Sequence, residues 1–199
     1  MDKIYNSLPS HPLSAEADYA RPMDSLAQEV TLDSPAAQVM TDLTQVSVET
    51  VSPDAPLEQA NRLMIQRAIR LLLVVEAGRR IVGLLTARDI LGEKPMLHMQ
   101  RRGVRREEIL VADIMVPHDA VDVLDMADVA RTRVGDIVLT LKRAGRQHAL
   151  VTETDGSGRQ RVRGIFSASQ IARQAGISIE PQDEELAKTF AQIEAALLK

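Results

Sequence analysis

Apolar residues in this chain fall into two kinds of run, and the two kinds alternate twice. Leu57, Ala60, Leu63 and Met64 recur at helical spacing with charged and amide residues between them, which predicts an amphipathic helix. Leu71-Leu72-Leu73-Val74-Val75 is apolar at every position, so it reads as a strand covered on both faces. Glu76 to Arg80 forms a hairpin turn around Gly78, and Ile81-Val82-Gly83-Leu84-Leu85 returns as the next strand. Thr86 then opens a helix to about Glu93, which Pro95 stops. Upstream, Ser34 and Pro35 mark a helix start over Ala36 to Met40, and Gln45-Val46-Ser47-Val48 has strand character. The turn Ser52 to Pro56 leads into the amphipathic helix with Pro56 at its first position.

The second half repeats this order. Val111 to Met115 matches Ala36 to Met40, and Val121 to Leu124 matches the first short strand. Val134 to Ala144 is the amphipathic helix and Ala149 to Thr152 the buried strand. A longer hairpin containing Asp155-Gly156-Ser157-Gly158 leads to Val162–Phe166 and a closing helix from Ser167 to Ala175. The most specific sign of duplication is an octapeptide. Gly83-Leu84-Leu85-Thr86-Ala87-Arg88-Asp89-Ile90 returns as Gly164-Ile165-Phe166-Ser167-Ala168-Ser169-Gln170-Ile171. A repeat of about eighty residues is too long for a solenoid. It predicts an α/β (α+β) protein of two similar β-α-β-β-α units packed face to face with pseudo-twofold symmetry, and such a pair encloses clefts.

The expected division is a flexible leader over 1–33, a first unit over 34–95, a connecting segment over 96–110, a second unit over 111–177 and a C-terminal helix over 178–199. Asp24 to Val30 has the pattern of one docked helical turn within the leader. The connecting segment carries the basic run Arg101 to Arg106, which reads either as a solvated link or as a docking patch for nucleic acid, a phosphate tail or an acidic partner surface. The final helix has the stripe Leu186, Phe190, Ile193 and Leu197, to be buried on the body or across a dimer interface.

Composition narrows the chemistry. With two Phe, two Tyr and no Trp among 199 residues, stacking surfaces for single-stranded nucleic acid are scarce, and the net charge of −4 argues against a general nucleic-acid binder. Cysteine is absent, which excludes disulfides, thiolate metal sites and cysteine nucleophiles. The four histidines (His11, His98, His118, His148) have no ligand-like spacing. No run reaches membrane-spanning length and no apolar signal stretch opens the chain, so the expected location is cytoplasmic. Neither a nucleophile–base order nor a phosphate-binding glycine loop stands in the sequence, so no enzyme is expected.

Thr86-x-x-Asp89 and Ser167-x-x-Gln170 have the spacing of a helix capping box, and capping alone explains them. The same residues also suit a ligand. Asp offers acceptor oxygens to vicinal hydroxyls, and a helix start offers N–H groups to a phosphate.

A helix–strand–strand–helix unit ending in Gly-apolar-apolar-Ser/Thr-x-x-Asp, present in tandem, resembles the CBS domain, and the tandem resembles a standalone Bateman module. Val39-Met40-Thr41-Asp42 and the segment from Thr50 to Ala55 fit the same pattern. The resemblance implies three strands and two helices per unit, units packed through their sheets, homodimers, and regulation of a protein partner not identifiable from sequence. It also implies AMP, ADP, ATP or S-adenosylmethionine as a regulatory ligand, with no cofactor required. Asp89 and Thr86 would hold ribose and phosphate in one cleft. Ser167 and Gln170 stand in the other, where the amide replaces the acid and weakens the contact. Asp89 would face His118 to Val123, and Gln170 would face Thr44 to Val48. Val46, Val48, Val121 and Val123 would wall an adenine ring, though each suits an ordinary core as well. Arg70 and His148 hold matching places ahead of the two buried strands, and with Arg88 and Arg146 they are candidate phosphate partners or solvated edge residues. The arginines at 79–80 and 159–163 flank the hairpins and are expected to face solvent. The competing reading is a ligand-free module for dimerisation and protein interaction.

Overall fold

A computed structural model describes residues 30–177. The leader turn at 24–30, apart from Val30, and the C-terminal helix expected over 178–199 lie outside the described residues. The strands are β1 (Thr41–Asp42), β2 (Thr50–Val51), β3 (Leu71–Glu76), β4 (Arg80–Thr86), β5 (Val116–Pro117), β6 (Val123–Asp125), β7 (His148–Thr154) and β8 (Gln160–Ser167). The helices are α1 (Leu57–Arg67), α2 (Ala87–Leu91), α3 (Lys94–Arg102), α4 (Val111–Ile114), α5 (Met126–Val129), α6 (Val134–Arg143) and α7 (Ala168–Ala175), and a 3-10 turn covers Ala36–Val39.

These strands make two four-stranded sheets, ordered β2-β3-β4-β5 and β1-β8-β7-β6. Each sheet therefore has three strands of its own unit and a fourth lent by the opening of the other. β5 lies antiparallel to β4 with Leu84 opposite Val116, and β1 lies antiparallel to β8 with Thr41 opposite Ile165. The glycine that begins each repeated octapeptide makes room for this exchange. A Cβ on Gly83 would stand 2.7 Å from the Val116 carbonyl oxygen and 2.7 Å from Met115 Sδ, and one on Gly164 would strike the Met40 side chain.

The cores follow the exchange. Leu72 and Val74 of β3, Leu85 of β4 and Leu57, Ala60 and Met64 of α1 are sealed by Ile109, Val111 and Ile114 from beyond the first unit. Val151, Phe166, Val134, Ile137 and Ile171 are sealed by Ala36 and Val39 from the start of the first. A third cluster, Leu71, Leu73 and Leu150 with Leu84, Val121 and Ile165 packed around it, joins the two sheets. β3 is thus buried on both faces, as its unbroken apolar run predicts.

Several local expectations shift. Gln45 to Val48 is not a strand, because this stretch crosses from β1 in one sheet to β2 in the other, and pairing resumes only at Thr50. Its counterpart begins at Val123, after a 3-10 turn over His118–Ala120. Pro35 and Pro56 occupy the cap position rather than the first helical position. Pro95 does not stop a helix; it sits in the first turn of α3, where a missing N–H costs nothing. The basic connection is therefore helical as far as Arg102, with Met99 packed against the first core. The expected three-stranded sheets have four strands because of the exchange.

Candidate functional site

A cavity of about 210 Å³ opens between the two units. Its walls are Arg70 ahead of β3, Thr86, Arg88 and Asp89 at the junction of β4 and α2, residues Ala120 to Asp122, and Arg146 to His148 ahead of and into β7. Thr86 caps α2 because its extended backbone frees the hydroxyl to accept the Asp89 amide, 3.3 Å away. Asp89 answers with Oδ2, which accepts from the Thr86 amide at 2.8 Å and the Thr86 hydroxyl at 2.6 Å. Its Oδ1 accepts from Lys94 Nζ at 2.6 Å.

Asp89 is buried, and its carboxylate has three donors already. An ionised carboxylate offers about four lone-pair sites, so one remains for a ligand hydroxyl unless Thr86 or Lys94 turns away. Lys94 was invisible to pattern reading because Pro95 read as a stop. A proline taken as a second helix start would have put Lys94 at the head of α3, beside α2.

Across the cavity, Arg88 Nη1 donates to the Gly145 carbonyl at 3.3 Å, and Arg146 Nη2 donates to Asp122 Oδ2 at 2.6 Å. Arg70 donates to the Ser169 hydroxyl of the other unit. Burial, reinforced by the Arg70 charge, pushes the His148 imidazole down to about 4, so it is neutral at physiological pH. Asp89 does share its cavity with Ala120 to Asp122, within the stretch His118 to Val123 it was expected to face.

Arg70 and His148 are not equivalent positions. His148 pairs with Ser167 as Leu71 pairs with Thr86, and the carbonyls of Arg70 and Gln147 receive the matching Ala87 and Ala168 amides. The hairpin insertion had hidden this register.

The second copy of the motif is wired differently. Ser167 makes no cap bond, its hydroxyl lying 3.1 Å from that of Ser169. Gln170, longer by a methylene, turns to accept from the Thr41 hydroxyl at 3.1 Å instead of closing a capping box. Neither Ser167 nor Gln170 lines the cavity at Asp89 or a second, larger groove of about 920 Å³. Thr44, Val46, Val48 and Val123 line that larger groove, and Val121 lines both. Thr44 donates its hydroxyl at 2.7 Å and its amide at 2.8 Å to Asp42 Oδ1. These bonds, with Arg163 adding to them, hold the Asp42 carboxyl below the usual carboxylate range. Arg163 is half-buried between Asp42 and Glu153 rather than solvent-facing.

The family model for the CBS domain matches residues 36–95. That stretch is a CBS domain. The second half repeats its fold. Solved structures agree on that fold. An uncharacterised conserved protein of Pyrococcus horikoshii is 20% identical over 76% of this chain and 98% of its own, with a TM-score of 0.53. The CBS-pair protein CBSX2 of Arabidopsis thaliana, solved in complex with AMP, is 19% identical over 71% of this chain and 96% of its own, at 0.52. A further CBS domain structure, NE2398, is 22% identical over 67% of this chain and 92% of its own, at 0.50. No curated protein matches the chain. Among the described residues, no helix is long and apolar enough to cross a membrane.

Proposed function

We propose that this chain is a CBS pair acting as a non-catalytic regulatory module, a homodimer in the cytoplasm. In this reading it binds an adenosine-containing ligand (AMP, ADP, ATP or S-adenosylmethionine) in the cleft at Asp89 and signals its occupancy to a protein partner. One observation carries the reading. The buried carboxylate of the repeated motif lies in a cavity between the units, beside the start of α2, with Arg70, Arg88 and Arg146 on its walls. A diol acceptor and three cations within one interdomain cavity suit a sugar phosphate. CBSX2, of the same fold, was solved with AMP.

At about 210 Å³ the cavity is smaller than the roughly 300–1,000 Å³ usual for small-molecule sites. A nucleotide therefore enters by displacing the Arg88–Gly145 bond that spans it, and that movement links occupancy to the relation of the two units. The Gln170 side, engaged with Thr41, is the weaker or unused one. Thermal melting of the full chain with each ligand tests the proposal. Saturable stabilisation is expected, and it should disappear in Asp89→Asn, which keeps side-chain volume and the backbone cap acceptor. A variant stabilised as strongly as the parent would refute the assignment, and a parent indifferent to every ligand would favour the ligand-free module.

A further inference from the structure

The larger groove adjoins the Asp89 cavity at Leu84, Val121 and Leu150 and runs from there to the opposite end of the strands, where both β-hairpins project. Arg79 and Arg80 come from the β3–β4 hairpin and Arg159 and Arg161 from the β7–β8 hairpin; all four line it, with His118. Among the described residues no Asp or Glu lines it, in a chain whose net charge is −4. Nearby acids only partly offset this charge. Glu76 pairs with Arg80, and Asp155 lies close enough to Arg161 to feel its charge.

The floor is apolar. It is built from Val48, Leu73, Val75 and Leu150, and two of its valines are unusually open, Val46 at 48% exposure and Val123 at 37%. Both rims are fixed. Asp155 Oδ1 accepts from the amides of Ser157 and Arg159 at 2.9 and 3.0 Å, which sets the loop that presents Arg159. On the other rim Arg79 is held at φ 64°, a left-handed conformation that an arginine adopts only at a cost. Like charges brought together from two units across an apolar trough repel one another unless an anion lies between them, and a concave low-dielectric wall strengthens the field an anion meets there.

We propose that this groove is a second ligand site, separate from the Asp89 cleft, taking an organic polyphosphate. Its phosphates bridge the arginines of the two hairpins and its ring packs on Val46 and Val123. At about 920 Å³ the space accepts a molecule of nucleotide size.

Calorimetric titration of the full chain with inorganic tripolyphosphate and with ATP tests this at low and high salt. Both should bind in the parent, with affinity falling as salt rises. The double variant Arg159→Glu/Arg161→Glu, on an exposed hairpin, should weaken both by at least about tenfold. Val46→Ser should weaken ATP while sparing tripolyphosphate. Failure of the parent to bind either probe would overturn the proposal, and so would equal binding by the arginine variant. Binding of a long polyanion such as heparin without binding of either small probe would overturn it in favour of a macromolecular surface. The Asp89→Asn variant should keep groove binding, so loss of one site's signal does not decide the other.

Discussion

At the scale of single residues, His148 shows how packing changes the role that composition assigns. From the sequence it is a candidate phosphate partner, but burial beside Arg70 keeps it uncharged in the fold. Its pKa of about 4 lies below the ordinary 6.5, so the neutral ring contributes its full stability above about pH 6.5. As pH falls from there toward 4, the unfolded chain takes up a proton that the folded chain refuses. The loss is on the order of 3 kcal/mol over the whole window. The melting temperature should therefore fall between pH 7 and pH 5, and His148→Gln should flatten that decline. The lowered carboxyls of Asp42 and Asp155 act only below about pH 4, outside this interval. An unchanged slope in the variant would show that another group titrates there. Asp89 is the converse case. Its capping role was legible in Thr86-x-x-Asp89, whereas its pairing with Lys94 depends on how α3 packs beside α2, which no local pattern encodes.

At the scale of elements, the exchanged strands decide the geometry, and the glycines of the repeated motif permit the exchange. Gly83→Ala and Gly164→Ala are the same change at equivalent places with different consequences. The first Cβ meets the Val116 backbone carbonyl, which cannot move without breaking the β4–β5 pairing; the second meets only the flexible Met40 side chain. Chemical denaturation should show Gly83→Ala destabilised by about 1–3 kcal/mol and Gly164→Ala by clearly less. Equal losses would mean that Met40 is as fixed as the strand. The buried strands, the hairpins and the amphipathic helices were readable because each follows a period set by one face or two. β1 and β5, of two residues each, were not. Strands that short carry no period, and their partners lie more than a hundred residues away for β1 and about thirty for β5. The β-character read at Gln45 to Val48 failed for the same reason, since alternation of valines cannot distinguish a strand from an extended crossing.

At the scale of the whole molecule, the two units are interlocked rather than merely adjacent. Ile109, Val111 and Ile114 complete the first core, and Ala36 and Val39 complete the second, so a shift of one unit strains both. In the proposed function this coupling lets a ligand between the units act at a distance, because Arg88, Arg70 and Arg146 bind across or along that seam. The duplication, and hence the existence of clefts, could be read from the octapeptide alone. The grouping of the hairpin arginines around a common groove could not, because it arises only when the sheets face each other. In the proposed function Asp89 serves a ligand as well as a helix cap. A crystal structure of the full chain grown with AMP tests this most directly. A nucleotide is expected between the units, with a ribose oxygen within hydrogen-bond distance of Asp89 and the Arg88–Gly145 bond opened. A nucleotide bound elsewhere would contradict the proposal, as would an empty cleft with the Thr86–Asp89–Lys94 bonds intact at saturating AMP.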